Sequence, residues 1–324
     1  MTDTAQAAPF RLKAPSQLVG GWELSLLILM ALLYAIGVFL NPDFFGSSSA
    51  LQAVLRDTAR YGVMAVGMTF VIVNKDIDLS VGSTYGLIGV VFSKAFTPGH
   101  FDFGLYEALA ICLVLGVIIG LINGGLVTLL RVPAFIATLI TLLIGRGFVL
   151  GLTGGKNIAF APKARDFPPL IEIGDFKFSL FNLGEVNAWG FNNQIIIFAV
   201  VAVIGAIVLA KTRWGYETAA VGGNEQAATY AGINSGWVRV RSYLISSLCA
   251  TLAGLMAMFQ DKGVTAQYGG GFELFVIASV IIGGAAIAGG RGRVIGSCLG
   301  ALLTVLVYKV MLAGWPVVRT ITVD

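Results

Sequence analysis

The sequence predicts an all-α, polytopic membrane fold with nine or ten transmembrane helices, and three observations predict it. Hydrophobic residues make up 57% of the 324 residues and charged residues only 12%, about half the charged share of a soluble domain. The apolar residues gather into runs of roughly twenty, the length a helix needs to cross the hydrocarbon core. The runs are continuous rather than alternating, which excludes the strands of a membrane barrel and leaves helices that satisfy their own backbone in lipid.

Residues 1–21 read as a polar cytoplasmic N-terminal segment, because no short apolar core with a small-residue cleavage site follows them. A single membrane-embedded domain is expected over 22–315. Its spans are predicted over 22–40, 59–73, 81–96, 106–130, 132–153, 193–211, 240–259, 273–289 and 294–315. Counted over every loop, lysines and arginines do not decide the orientation. Local clusters do: Arg11 and Lys13 before the first span, Lys211, Arg213, Arg239 and Arg241 around a polar segment, and Arg291 with Arg293 in a short loop all fall on one side if nine spans alternate. That side is taken as cytoplasmic. The loop over 212–239 is then cytoplasmic, and the long loop over 154–192 is outside, with a weak strand signal at 176–181. His100 reads as a solvated residue of a short outer loop, and Cys112, Cys249 and Cys298 as apolar packing residues inside spans.

Small residues recur four apart at Gly116, Gly120 and Gly124, and again at Gly292, Gly296 and Gly300. Such stripes let helix backbones approach closely in lipid. They fit packing within one subunit, or a seam between two copies.

The interruption 74–83, NKDIDLSVGS, separates two short apolar runs. Irregular backbone at membrane depth is tolerated where it is buried in protein or lines a water-filled cavity. Asp78 or Ser80 can cap the next helix. Asn74, Asp76, Asp78 and Ser80 can equally face a translocation path or gate, where ionisable groups tend to be functional. Arg146 lies about fourteen residues into its span and is expected to face the bundle interior or water and to find a partner there. Lys309, late in the last run, is expected to snorkel to the outer interface.

Several chemistries find no residues to carry them. The sequence holds no phosphate-binding G-x-x-x-x-G-K-[ST] loop, no H-E-x-x-H pair and no nucleophile with a base beside it. No catalytic residue, metal site or cofactor is assigned, and the scattered basic residues do not suggest nucleic acid. A protein that moves a solute on another subunit's energy fits these absences. The polar, alanine-rich stretch 222–241, GGNEQAATYAGINSGWVRVR, reads as a short helix on a water-exposed docking surface. Asn224 can cap it and Gly232 can stop it.

Four stretches carry a family resemblance: GMTFVIVNKDIDLSVGS at 67–83, INGGLVTLLRVPAFIATLITLLIGRGF at 122–148, GGNEQAATYAGIN at 222–234 and VIIGGAAIAGGRGRVIGSCLGALL at 280–303. Together they resemble the permease subunits of ribose-type carbohydrate importers driven by ATP, over about 51–312. The resemblance implies an inner-membrane permease paired with a second copy as a homodimer, an ATP-binding subunit on the cytoplasmic face that binds the ATP, and a periplasmic sugar-binding protein. It implies that the ATPase docks on Gly223, Asn224, Glu225, Ala227, Ala228, Gly232 and Ile233. Ala227, Ala228 and Gly232 match the A-A-x-x-x-G part of the importer loop pattern, while Glu225 stands one residue upstream of its acid. Asn74, Lys75 and Asp76 replace a threonine and glycines common in that family. The tail 316–324 is short beside it, which reads as a truncation or a helix count one too low. A permease for branched-chain amino acids is the nearest alternative, and an ion-driven secondary transporter a more distant one.

Overall fold

A computed structural model describes residues 21–96, 101, 103–159, 171–173, 176–178, 193–261 and 263–321, with side chains up to 312. The chain is an all-α polytopic membrane protein. Its helices are α1 (Gly21–Leu40), α2 (Pro42–Phe45), α3 (Ser48–Val73), α4 (Val81–Phe96), α5 (Leu105–Thr128), α6 (Ala134–Thr153), α7 (Asn193–Lys211), α8 (Arg213–Gly223), α9 (Glu225–Tyr230), α10 (Ser235–Asp261), α11 (Phe272–Ile282) and α12 (Val294–Ile321). Six of these, α1, α5, α6, α7, α10 and α12, are long and apolar enough to cross a membrane.

All nine expected runs appear as helices, with three instructive differences. The run expected to begin at 59 starts at Ser48, capped by the Ser47 hydroxyl on Ala50 N, and so carries Arg56, Asp57 and Arg60 into the bundle. The run expected over 273–289 stops at Ile282, because Gly283, Gly284, Gly289 and Gly290 form an irregular turn that hydropathy does not distinguish from helix. The last run does not end at 315: α12 continues through Pro316 to Ile321. At 16 and 11 residues, α4 and α11 are roughly 24 and 16 Å long and fall short of a bilayer.

The bundle is built around α4 and α10. Neither α3 beyond its first turns nor α4 leaves much surface exposed, and Tyr85, Phe92, Met64, Met68, Met256 and Met258 fill the centre. Outward faces of α1, α5 and α6 carry Ile28, Leu32, Leu113, Leu121, Leu143 and Leu150 exposed, as lipid-facing helices do. Both glycine stripes pack inside the subunit. A methyl group added at Gly116 or Gly120 would run into Thr251 or Ser247 of α10, and one at Gly296 or Gly300 into the Gly283 or Ser279 carbonyl at the end of α11.

Much of the expected loop 154–192 lies outside the described residues, as do His100, Arg11 and Lys13. Two short pairings are described: β1 (Ile158–Ala159) with β4 (Gly263–Val264), and β2 (Ile171–Ile173) with β3 (Phe176–Phe178), both antiparallel. The second places a strand at the start of the segment where alternation suggested one.

Candidate functional site at one end of the bundle

One end of the bundle gathers the turn 74–80, the helices α8 and α9, the α5–α6 connection and the glycine-rich turn after α11. Gly222 sits against Val73, where any side chain would strike the Val73 carbonyl, and the Gly290 N–H donates to that same carbonyl at 2.8 Å. Close approach of three backbones therefore requires glycine at 222.

The short helix expected in the polar segment is α9, and a second helix, α8, runs into it. The break falls at Asn224, whose backbone is extended and whose side chain accepts from Ala227 N at 3.0 Å to start α9. Gly232, in the left-handed region at φ +81, ends it. The residues expected to dock divide between two faces. Gly223, Asn224, Glu225, Ala227 and Gly232 are exposed, and Ile233 is half-buried. Ala228 points inward, packed with Val221 and Val238. The sequence reading missed Tyr230, which stands 90% exposed at the end of α9. An aromatic after two alanines is a signal that could have marked it, since exposed tyrosines are frequent interface anchors.

Behind this surface α8 is clamped to α10. Arg241 donates to Glu217 Oε2 and to the Trp214 carbonyl, both at 3.1 Å, with its guanidinium 4.9 Å from the Trp214 ring, and Arg213 donates to Glu217 Oε1 at 2.7 Å. Burial pushes the Glu217 carboxyl up, but the hydrogen bonds from Arg213 and Arg241 outweigh it and hold the group below the usual range.

A second set of contacts ties α9 to the turn. Arg239, on α10, donates to Glu225 Oε2 at 2.9 Å, and its Nε lies 3.5 Å from Asp76 Oδ2. Asp76 is nearly buried although it sits beyond the end of α3, outside the spanning helices. Burial pushes its carboxyl up to about 6 against the pull of Arg239. These residues line a cavity of about 600 Å³ with Thr128 and Arg131. Asn74 is fully buried beside them, and neither of its side-chain polar atoms has a hydrogen-bond partner.

Two residues further on, the chain has entered the bundle. Asp78 Oδ1 accepts from the Ser80 N–H at 2.9 Å and its hydroxyl at 2.6 Å, and Oδ2 accepts from Ser246 at 2.8 Å. Asp78 thus shapes the turn into α4 and bonds across to α10 as well. Asn123 donates to the Ser80 hydroxyl at 2.8 Å and accepts from Thr141 at 2.7 Å. Neither Asn123 nor Thr141 was marked by sequence, because each stands alone in an apolar run.

Thr141 lines a cavity of about 370 Å³ between α4, α5 and α6, together with Ser83, Thr84 and apolar residues such as Leu115 and Phe148. The Thr84 hydroxyl is buried there without a hydrogen-bond partner among the described residues. No ionised side chain lines this space.

Arg146 makes no contact with the cluster of Asp76, Glu225 and Arg239 among the described residues. Its guanidinium donates to the Tyr268 carbonyl at 2.7 Å and to the Gly269 carbonyl, with Glu273 4.0 Å away, holding the segment between α10 and α11. Lys309 does not snorkel: its ammonium pairs with Asp57 of α3 at 2.6 Å, inside the bundle. Asp57 also bonds Arg60, which reaches Asp261 at 3.1 Å, and Tyr268 donates to Asp261 at 2.6 Å.

The chain matches the family described as branched-chain amino acid transport system / permease component over residues 50–321. It is similar to the ribose import permease protein RbsC of Escherichia coli K12, 35% identical over 279 residues that cover 86% of this chain and 82% of that one. The inner membrane ABC transporter permease protein YjfF of the same organism is 35% identical over 265 residues, covering 81% and 76%. The autoinducer 2 import system permease protein LsrC of Yersinia pestis is 32% identical over 290 residues, covering 89% and 76%. No solved structure matches the chain.

Proposed function

The chain belongs to the branched-chain amino acid transport system permease family, and from that premise we propose that it carries a monosaccharide through the inner membrane on energy supplied by a separate ATP-binding subunit. It is a multi-pass inner-membrane protein of the sugar-importing branch of such permeases. The observation that supports the substrate class is the 35% identity to a ribose import permease over 86% of this chain. The cavity between α4, α5 and α6 is lined mostly by apolar side chains and holds no ionised group. A zwitterionic amino acid needs partners for a carboxylate and an ammonium, which this lining does not supply. That favours a sugar over the amino acids in the family's description.

The coupling end supports the energy source. Lys75, Arg131, Arg213, Arg239, Arg291 and Arg293 crowd it, which by the positive-inside rule supports a cytoplasmic position. There α9 offers Glu225, Ala227 and Tyr230 to an ATP-binding subunit. Sugar arrives from a periplasmic binding protein, passes between this chain and a second copy, and leaves past Asp76 and Asp78. A cavity cannot accumulate solute unless something shifts its access, so the partner's ATP cycle must bind the two states of the permease with different affinity.

The test is uptake of radiolabelled ribose and, separately, leucine into proteoliposomes holding the chain with its co-expressed ATP-binding subunit and binding protein. ATP-dependent ribose uptake without leucine uptake is expected. Leucine uptake instead would move the substrate to amino acids, and uptake by the chain alone on an ion gradient would overturn the importer reading.

A further inference from the structure

We propose that Arg239 is a positioning residue for coupling, held in common by Glu225 on α9 and Asp76 on the 74–80 turn, so that displacement of α9 hands the guanidinium from one carboxylate to the other and moves the turn. This inference rests on the assignment of α9 as a docking helix.

Three observations carry it. The two contacts of Arg239 are unequal: a hydrogen bond of 2.9 Å to the half-exposed Glu225, and an approach of 3.5 Å to Asp76 that makes no hydrogen bond, with Asp76 Oδ2 and Arg239 Nε both buried and without a hydrogen bond among the described residues, and the buried Tyr243 hydroxyl also facing Asp76. A buried carboxylate oxygen facing a buried N–H so closely is poised to close whenever Glu225 withdraws. Room for the exchange exists, because the guanidinium borders cavities of about 600 and 390 Å³, the second lined by Lys75, Gly223, Asn224 and Gln226. The turn is also connected inward. The Thr138 hydroxyl donates to the Ile77 carbonyl at 3.2 Å, and from Asp78 the bonds run through Ser80 and Asn123 to Thr141 on the wall of the inner cavity. A shift of Asp76 therefore reaches α4, α5 and α6 through contiguous hydrogen bonds and not by proximity alone.

Other charges near Asp76 do not substitute for Arg239. Lys75 borders the second cavity and Arg131 lines the first, but neither makes an ion pair with Asp76 among the described residues. Glu225 is the only acid on α9.

Hydrogen–deuterium exchange on the chain in lipid nanodiscs tests the relay without relying on transport. In Glu225→Gln, Arg239 turns to Asp76, and amides of 74–80 should exchange at least threefold more slowly. In Asp76→Asn, the slower exchange should appear in 225–233 instead. Arg239→Gln should speed both segments, and Arg239→Lys should restore part of the protection. Unchanged exchange at 74–80 in Glu225→Gln, with α9 itself altered, would overturn the relay. A second arm measures ribose uptake per ATP hydrolysed in the assembled importer. Asp76→Asn should copurify with the ATP-binding subunit and still hydrolyse ATP while uptake per ATP falls at least fivefold, and combining it with Glu225→Gln should add little. Multiplying losses in the double variant would overturn the relay, whereas absence of ATP-dependent uptake in the unaltered protein would strike only the importer reading.

Discussion

Lys309 on α12 and Asp57 on α3 form an ion pair of 2.6 Å within the bundle, where both side chains are largely shielded. Lysine in the outer part of an apolar run ordinarily reaches for the interface, but here it pairs with a carboxylate of a neighbouring helix. Replacing Lys309 by Met leaves Asp57 with Arg60 alone, and breaking a shielded pair from one side costs about 3 kcal/mol. Thermal unfolding in detergent is expected to show Lys309→Met clearly destabilised and Lys309→Met with Asp57→Asn partly recovered. Equal midpoints for the unaltered protein and the single variant would show the pair to be energetically idle.

Tyr230 should matter to partner binding and not to folding. With its ring 90% exposed, Tyr230→Ala is expected to keep the unfolding midpoint and to weaken copurification with the ATP-binding subunit roughly tenfold or more, the scale of an interface anchor. Ala227→Glu should act likewise from the same exposed side. Ala228→Glu would instead bury a charge against Val221 and Val238 and unseat α9. Binding that survives both Tyr230→Ala and Ala227→Glu would place the docking surface elsewhere.

Close packing of α5 on α10 gives a prediction with an internal control. A Cβ at Gly120 would lie 2.9 Å from Leu244 Cα, while one at Gly147 on α6 meets nothing within 4 Å. Gly120→Leu is expected to abolish a monodisperse peak in fluorescence-detected size exclusion, at a cost of several kcal/mol. Gly147→Leu is expected to leave the peak intact.

The clamp between α8 and α10 predicts an acid dependence. Glu217 has its folded pKa held down by Arg213 and Arg241, so its stabilising contribution is present above the unfolded value of about 4.3 and is lost as the pH falls through the lower, folded value. Glu217→Gln should unfold at a lower temperature than the unaltered protein at pH 7. The two midpoints should converge once the pH has fallen below the folded value. A gap that persists at acid pH would mean the loss is one of packing and not of charge.

The sequence made the helices legible and left their joints obscure. The ends of α4 and α7 agree with the hydropathy pattern because polar residues mark them, Asp78 and Ser80 before Val81 and Lys211 with Thr212 after the other. The end of α11 was hidden, since Gly283 to Gly290 is as apolar by composition as a helix and only backbone conformation separates them. The polar path was half visible. Asp76, Asp78 and Ser80 stand together in a run of polar residues, but Asn123, Thr141, Arg239 and Ser246 come from three other helices, and nothing local in their neighbourhoods says that they converge. The same holds for Lys309, whose carboxylate partner is 252 positions away.

Both glycine stripes spend their narrow surface on neighbours within the same chain, against α10 and against α11. A second copy pairing with this chain would then meet bulky side chains, among them the exposed leucines and isoleucines of α1, α5 and α6. Lipid tails can compete for that kind of surface on nearly equal terms. Any pairing with a second copy should therefore be reversible and depend on the amount of protein in the bilayer.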